Sequence, residues 1–269
     1  MPDAAVDLRL AVSAARAAGD ILLESFGKRL DVDYKRADQP VTEADRAADR
    51  FLRRTLLGER PAYGWLAEES GSVEAGASAP VWVVDPLDGT SNFIEDRPEF
   101  AVCVGLLDRG TPMLGVVYNP VSGALYSAMR GGEALFGDAP IAVASPPAVP
   151  PRLVASWTEM DDGLLERFRP AWRVVTVGST ALKMMSVAEG AADAYVSFGR
   201  KEIWDVCAAT VIAEAAGADV LDLDGRPLVW HNDFGPLDGL IVVSRSLGAD
   251  IQEIVRLAKS PGTTPEQGE

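Results

Sequence analysis

The chain of 269 residues carries 40 acidic and 25 basic side chains, which gives a formal net charge of −15. This balance argues against nucleic-acid binding, because such binding draws on Lys and Arg side chains that displace counterions from phosphates. The length and the 48% hydrophobic content suit one large domain or two of ordinary size. The two cysteines lie in apolar segments, and a single histidine offers no Cys/His spacing for a zinc site.

No run of the sequence reaches the roughly 18 apolar residues that span a membrane. The N-terminal residues also lack the basic stretch followed by an apolar stretch that marks a secretion signal. We therefore expect a cytoplasmic protein without a membrane partner.

Two helices are predicted near the start of the chain. Asp3 can cap a helix over about residues 4–26, in which apolar residues recur at helical spacing. Thr42 and Asp45 have the spacing of a capping box, which predicts a second helix from this point to about residue 57. Capping alone would account for the presence of Asp45.

Short strands are expected at residues 31–35 and 63–66. The second strand ends in Ala67-Glu68-Glu69-Ser70, and residues 71–80 resemble a flexible connection. Paired glutamates before a loop rich in Gly, Ser and Ala are ordinarily a solvated turn. Without further information, these glutamates predict no site.

The most distinctive stretch is Val81 to Phe93, which reads VWVVDPLDGTSNF. Its first four residues have the apolar, β-branched character of a buried strand, which a proline and a glycine then end in a tight turn. Asp85 and Asp88 are therefore expected at the carboxyl end of a buried strand, where open α/β architectures place their ligands. Two carboxylates so close together repel each other unless a cation lies between them, and carboxylate oxygens are ligands that Mg²⁺ prefers.

The residues after this turn are expected to begin a helix. The N–H groups of Gly89, Thr90 and Ser91 would then be free to hold an anion, because the first N–H groups of a helix have no partner within it. A strand followed by an Asx-type turn is the alternative interpretation, and it requires no function.

Three apolar or alternating runs follow at residues 100–107, 113–118 and 124–129, as expected of an antiparallel meander. The Pro-rich segment 145–151 is the clearest change of composition in the chain. We interpret it as a linker between an N-terminal α+β half, residues 1–145, and a C-terminal α/β half, residues 152–269.

The C-terminal half alternates between strand and helix patterns. Asp205 follows Trp204 at the start of an alanine-rich helix, where an N-cap role would be sufficient to explain it. Strands are expected at 153–156, 172–177, 194–197 and 240–243, and helices at about 162–168, 180–188, 204 onward and 247–259.

Four segments in order resemble the motifs of the inositol monophosphatase superfamily of Mg²⁺-dependent, lithium-sensitive phosphatases. They are PVTEAD at 40–45, AEES at 67–70, WVVDPLDGTSNF at 82–93 and WDVCAA at 204–209. The resemblance extends from about Val6 to Ser244. Ala67 stands where a glycine is usual, and Cys207 and Thr210 replace the usual alanine and glycine.

The resemblance implies the αβαβα layered sandwich of the sugar phosphatases, usually a homodimer, whereas periodicity alone predicts only a mixed α/β protein. It implies two Mg²⁺ ions: one held by Glu68, Asp85 and the carbonyl of Leu87, the other by Asp85, Asp88 and Asp205. A third, weaker ion would bind near Glu68, to which the resemblance also assigns a part in catalysis. Thr90, hydrogen-bonded to Asp45, would orient the attacking water and help deprotonate it, and the phosphate would lie on the metals and on the N–H groups of Gly89 and Thr90.

The substrate is a small phosphomonoester on this interpretation, and its identity stays open. Ser91-Asn92-Phe93 resembles the inositol monophosphatase branch, which favours inositol monophosphate or a related sugar phosphate. Phe198 replaces the glutamate that contacts an inositol hydroxyl in that branch, and the loop from Phe198 to Asp205 is one residue longer than usual. That loop and Ser179 resemble the 3′(2′),5′-bisphosphate nucleotidases, the alternative. Arg200 and Lys201 would then meet a second phosphate, unless they form a solvated basic turn.

The substrate site implied in this way comprises Asp88, Gly89, Thr90, Ser91, Ser179, Phe198, Arg200, Lys201 and Asp205. A further alternative comes from superfamily members that act as RNA- or polymerase-associated factors. The net charge of −15 argues against that role here.

Overall fold

Five layers of secondary structure are stacked on one another in the computed structural model, which describes residues 3–36, 39–73, 79–230, 235–248 and 250–259. An eight-stranded sheet and a five-stranded sheet enclose a middle layer of helices, and further helices cover the outer face of each sheet. This is the αβαβα sandwich that the resemblance implied.

The first outer layer consists of α1 (Ala4–Leu23) and α2 (Glu43–Glu59), with a hairpin of β1 (Val32–Arg36) and β2 (Gln39–Thr42) between them. Both predicted caps are present. The Asp3 carboxylate accepts from the Val6 N–H, and Thr42 and Asp45 form a reciprocal capping box. The apolar faces of both helices pack on the larger sheet.

The larger sheet has the strand order β10-β9-β8-β7-β6-β5-β3-β4. Only β3 and β5, near one edge of the sheet, pair in parallel among these strands. The expected meander is confirmed, because β6, β7 and β8 pair antiparallel in chain order. A short helix, α3 (Thr90–Ile94), follows β5. The strands are β3 (Gly64–Ala67), β4 (Gly71–Val73), β5 (Val81–Asp88), β6 (Ala101–Asp108), β7 (Thr111–Asn119), β8 (Ala124–Met129), β9 (Ala134–Phe136) and β10 (Ala139–Ile141).

The smaller sheet has the order β12-β11-β13-β15-β14. Its strands are β11 (Arg152–Ala155), β12 (Arg173–Thr176), β13 (Ala194–Ser197), β14 (Ala218–Leu221) and β15 (Leu240–Ser244). Helices α5 (Thr180–Ala188) and α6 (Ile203–Ala215) form the middle layer. The outer layer contains α4 (Trp157–Asp161), a 3₁₀ turn (Arg245–Leu247) and α7 (Asp250–Lys259).

The helix predicted at residues 162–168 is wrong. Ser156 caps α4 instead: its hydroxyl accepts from the Glu159 N–H, while the Glu159 carboxylate accepts from the Ser156 N–H. Gly163, with φ +69°, follows within two residues of the end of α4, and residues 162–171 form turns. The pattern at 162–168 therefore lies beyond the helix that the Ser156 capping box begins.

The sequence also left some short strands unpredicted. β4 lies within the expected flexible connection at 71–80, of which residues 74–78 are outside the described ranges. β2, β9, β10 and β14, which have four residues or fewer, were not predicted either. No helix in the described ranges is both long enough and apolar enough to cross a membrane.

Helix α6 lies directly on the larger sheet, because two glycines remove side chains from the contact. A Cβ on Gly115 of β7 would lie 2.7 Å from the carbonyl carbon of Ala208, and a Cβ on Gly105 of β6 would lie 2.8 Å from Cys207 Sγ. Real Cβ atoms do not approach so closely, so any larger residue at these positions would push α6 away from the sheet.

We expect Gly115→Ala to lower the free energy of unfolding by about 3 kcal/mol, the upper part of the usual range for overpacking, because the neighbour is backbone that cannot rotate away. Gly58→Ala is the matched control, since Gly58 lies in α2 with open space around its Cβ position. That change should be neutral or slightly stabilising. Thermal melting of both variants makes the comparison, and equal melting temperatures would contradict the packing argument.

Candidate active site

The carboxylates predicted to form the site lie at one edge of the larger sheet. β3 and β5 run parallel as neighbours, so their carboxyl ends meet there. Glu68 follows β3 directly, and its N–H donates to the Val84 carbonyl of β5. The loop after Glu68 is fixed through Ser70, whose hydroxyl accepts from Trp65 Nε1 at 2.8 Å and donates to Asp49 Oδ1 at 3.1 Å.

Asp85 is the most buried member of the group, with 2% of its surface exposed. Burial raises the pKa of its carboxyl group well above the usual value, and repulsion from the carboxylates of Glu68, Asp88 and Asp205 raises it further. The Leu87 N–H donates to Asp85 Oδ1 at 2.9 Å and acts in the opposite direction. The four carboxylates are therefore close enough to destabilise each other's charge.

Asp205 enters the site from the middle layer, as the third residue of α6. Glu202 holds the N-cap position that the sequence suggested for Asp205, and Asp205 Oδ2 accepts from the Glu202 N–H at 2.9 Å. The residue keeps some solvent exposure, but its carboxyl group is surrounded by protein. Burial, followed by repulsion from Asp88, raises the pKa of Asp205 to about 8, against the lowering effects of the Glu202 N–H and the Lys201 ammonium.

Asp88 is held by the first turn of α5. Ser179 Oγ donates to Asp88 Oδ2 at 2.5 Å, the Ala181 N–H donates to the same oxygen at 2.6 Å, and the Thr180 N–H donates to Oδ1 at 3.1 Å. The positive end of the helix dipole therefore points at this carboxylate and stabilises its charge. Ser179 was predicted to bind substrate, and the structure places its hydroxyl on Asp88.

Thr90 and Asp45 form the contact that the resemblance implied. Thr90 Oγ1 lies 3.1 Å from Asp45 Oδ1 and 3.2 Å from the Leu87 carbonyl oxygen, so its hydroxyl can donate to either. Asp45 is fully buried, which raises the pKa of its carboxyl group, while donation from the N–H and hydroxyl of Thr42 lowers it. The pair stands beside the carboxylate cluster, since Leu87 lies between Asp85 and Asp88 in the chain.

Gly89 allows the chain to turn from β5 into α3. Its φ is +103°, and a Cβ would lie 2.9 Å from the Glu99 carbonyl oxygen, so both the backbone conformation and the available space favour glycine. Gly89 is the N-cap of α3, which confirms the predicted helix after the turn. The leading N–H groups of α3 have no acceptors within that helix.

The donor set has the chemistry of a Mg²⁺ site: carboxylate and carbonyl oxygens, with mutual repulsion that a cation would relieve. In the described ranges, however, no three His, Cys, Asp or Glu side chains are already grouped as metal ligands. Asp85, Asp88 and Asp205 each bond to nearby backbone N–H groups. The types of residue in the cluster are therefore those that bind Mg²⁺.

A cavity of about 330 Å³ opens beside this cluster. Lys183 lines it, with only 4% of its surface exposed, and its ammonium lies 5.2 Å from the ring centroid of Tyr195. Burial lowers the pKa of Lys183 to about 8. Within the described ranges no carboxylate forms an ion pair with it, although attraction to the Glu159 carboxylate opposes the lowering of its pKa. Trp157, a large apolar side chain that is 47% exposed, lines the same cavity.

The other predicted substrate residues lie in three places: the cavity, the outer hydrophobic cluster and the turn before α6. Ser91 lines the cavity. The Phe198 ring instead joins the outer hydrophobic cluster, where the Arg167 guanidinium stands over it. Arg200 forms an ion pair with Glu202 at 3.0 Å, and Lys201 pairs through its backbone with Leu237. The sequence did not single out Lys183 or Trp157, although a lysine within the apolar segment TALKMMSVA is an available signal.

The chain matches the model of the inositol monophosphatase family over residues 3–257. An inositol-1-monophosphatase from Mesorhizobium japonicum is 35% identical over an aligned length of 251 residues, and the match covers 89% of this chain and 94% of that protein. The 3′(2′),5′-bisphosphate nucleotidase CysQ from Escherichia coli strain K12 is 37% identical over an aligned length of 243 residues, and the match covers 84% of this chain and 93% of that protein.

Among solved structures, the extragenic suppressor protein suhB from Bartonella henselae is similar with a TM-score of 0.83 at 28% identity, covering 94% of this chain and 98% of that one. Family model, relatives and fold all extend over nearly the whole chain and agree with the four motifs. The chain therefore belongs to the inositol monophosphatase family, and it is a phosphatase that hydrolyses phosphomonoesters.

Proposed function

We propose that this phosphatase acts on a small phosphomonoester with Mg²⁺ ions held by Glu68, Asp85, Asp88, Asp205 and the carbonyl of Leu87. The observation that supports this best is the buried, mutually repelling carboxylate cluster beside the hydrogen-bonded pair of Thr90 and Asp45. When bound, Mg²⁺ supplies positive charge that neutralises the phosphate oxygens and makes a water molecule more acidic.

The protein's own residues would position the water and accept its proton. If Thr90 donates to Asp45, a lone pair of the Thr90 hydroxyl stays available to accept a hydrogen bond from the attacking water. Asp45 is a stronger base than an ordinary aspartate because its pKa is raised, so it can accept the proton that Thr90 passes on. The leading N–H groups of α3 would hold the phosphate.

We propose inositol monophosphate or a related sugar phosphate as the substrate, in line with the Mesorhizobium relative and the Ser91-Asn92-Phe93 segment. One observation favours the second candidate, a 3′(2′),5′-bisphosphate nucleotide such as the name of the Escherichia coli relative describes. Lys183 is buried, lines the cavity beside the cluster and forms no ion pair within the described ranges, so a second phosphate bound there would lie near its charge. Inhibition by Li⁺, a third ion, a homodimeric state and a cytoplasmic location stay predictions from the sequence.

The first test of this function is its dependence on metal. Turnover of inositol 1-phosphate or adenosine 3′,5′-bisphosphate should require Mg²⁺ and disappear when the ion is chelated. Excess Ca²⁺ should inhibit, because its looser coordination places ligands less strictly than Mg²⁺ does. Full turnover of either ester in metal-free buffer would contradict the proposal.

Asp205→Asn separates the chemistry from folding. The asparagine side-chain oxygen can still accept the Glu202 N–H, so the metal-free variant should melt close to the wild type. Loss of the charge should lower kcat about a hundredfold, the factor that about 3 kcal/mol of electrostatic stabilisation represents. Asp219→Asn is the control, because it removes the same charge from an exposed ion pair with Arg245. Unchanged turnover of Asp205→Asn would leave that residue a structural role only.

Lys183→Met distinguishes the two substrates. If Lys183 binds a second phosphate, KM for adenosine 3′,5′-bisphosphate should rise about tenfold or more, since a hydrogen bond to a charged group contributes about 1.5–3 kcal/mol. KM for inositol 1-phosphate should stay within about twofold. Arg200→Met is the control, because Arg200 is exposed and already paired with Glu202. A larger effect of Arg200→Met would instead favour the turn of Arg200 and Lys201, which the sequence suggested as the site of the second phosphate.

A further inference from the structure

The contacts that Asp88 makes with α5 limit how it can bind a cation. Three donors reach its carboxylate from the described residues, namely the Ser179 hydroxyl and the N–H groups of Thr180 and Ala181. All three belong to the C-terminal half of the chain, whereas Asp88 ends a strand of the larger sheet. Asp88 is 7% exposed, so water has little access to compete with these donors.

The two carboxylate oxygens of Asp88 accept different numbers of hydrogen bonds. A carboxylate offers about four acceptor positions, two on each oxygen. Oδ2 receives both the Ser179 hydroxyl at 2.5 Å and the Ala181 N–H at 2.6 Å, while Oδ1 receives only the Thr180 N–H at 3.1 Å. One position therefore stays open on Oδ1, and Oδ2 is saturated as long as the Ser179 hydroxyl is in place.

Cations differ in how they use a carboxylate. Mg²⁺ demands near-octahedral geometry, whereas Ca²⁺ takes six to eight oxygens and commonly binds both oxygens of one carboxylate. We propose that Ser179 is a positioning residue that restricts Asp88 to ligation through Oδ1 alone and thereby favours Mg²⁺ over Ca²⁺. This inference rests on the proposed function in that it takes Asp88 to be a metal ligand.

The local structure supports a fixed position for the Ser179 hydroxyl. It donates its proton to Asp88 and accepts the Leu182 N–H at 3.0 Å as the N-cap of α5, so two hydrogen bonds within the protein hold it in place. Ser179 also has φ +63°, a conformation that is unfavourable for a non-glycine residue and that glycine would adopt more readily. A serine in this conformation indicates that the hydroxyl itself is needed.

The turn before α5 is also held from the N-terminal half. A Cβ on Gly178 would lie 2.8 Å from the side-chain amide carbon of Asn92, so α3 packs directly on the backbone at residue 178. Asn92 is fixed in turn, because its Nδ2 donates to the Glu99 carbonyl at 2.8 Å. The hydroxyl of Ser179 therefore faces Asp88 from a backbone that cannot move away easily.

The test measures Mg²⁺ and Ca²⁺ binding by calorimetry for the wild type, Ser179→Ala and Ser179→Gly. Both variants lack the hydroxyl, but Ala keeps the backbone strain and Gly relieves it. We expect the ratio of the Ca²⁺ Kd to the Mg²⁺ Kd to fall about tenfold in both, the factor that one hydrogen bond to a charged group represents. Inhibition of Mg²⁺-dependent turnover by Ca²⁺ should become stronger by a similar factor.

Ser186→Ala is the control for losing a serine hydroxyl from α5. Ser186 Oγ donates to the Leu182 carbonyl at 2.9 Å on the same helix, so this change should leave the ratio unaltered. An unchanged ratio in both Ser179 variants, a change in Ser179→Ala alone, or equal weakening of both cations would overturn the inference. A wild-type protein that binds no Mg²⁺ would overturn the proposed function as well, which makes the two failures distinguishable.

Discussion

Repulsion among carboxylates at the ends of β3 and β5 is the constraint on which the rest of the structure depends. Asp85 is nearly inaccessible to water and lies within electrostatic reach of three other acids, so the fold has to supply positive potential. It does so with the beginnings of helices: Asp45 stands in the first turn of α2, Asp205 in that of α6, and the first turn of α5 donates to Asp88. The first N–H groups of these helices have no hydrogen-bond partner within the helix, and they stabilise carboxylate charges to which water has little access.

This requirement explains the layered architecture. Two of the helices that begin at the site, α5 and α6, pass between the two sheets, and α6 is accordingly buried on nearly all sides and rich in alanine. Its approach to the larger sheet is possible because Gly105 and Gly115 carry no side chains. The position of Asp205 relative to Asp85 is therefore set by packing contacts that lie outside the site, and the precision of the site depends on the closeness of that packing.

The sequence predicted those parts of the site that lie at the ends of recognisable elements. Asp85 could be placed from its neighbours, because it comes directly after an apolar run of strand character. Glu68 and Asp45 were assigned by the family resemblance, since their own neighbours predict only a turn and a capping box. Contacts between distant segments could not be placed in this way. The hydrogen bond from Ser179 to Asp88 joins residues 91 positions apart, and nothing near Ser179 indicates that its hydroxyl faces a carboxylate. Lys183 was missed because a lysine on a helix usually reaches solvent, whereas the fold here encloses it.

The place of α6 between the sheets has a consequence for how the protein is made. The strands of the larger sheet, together with Glu68, Asp85 and Asp88, leave the ribosome long before the helix that covers one face of that sheet. During that interval an apolar surface and three acids are present without Asp205 and without the first turn of α5. Because the chain is made from its N-terminus, this face is exposed to association with other chains until α5 and α6 have been made. These helices then cover the apolar surface and complete the site.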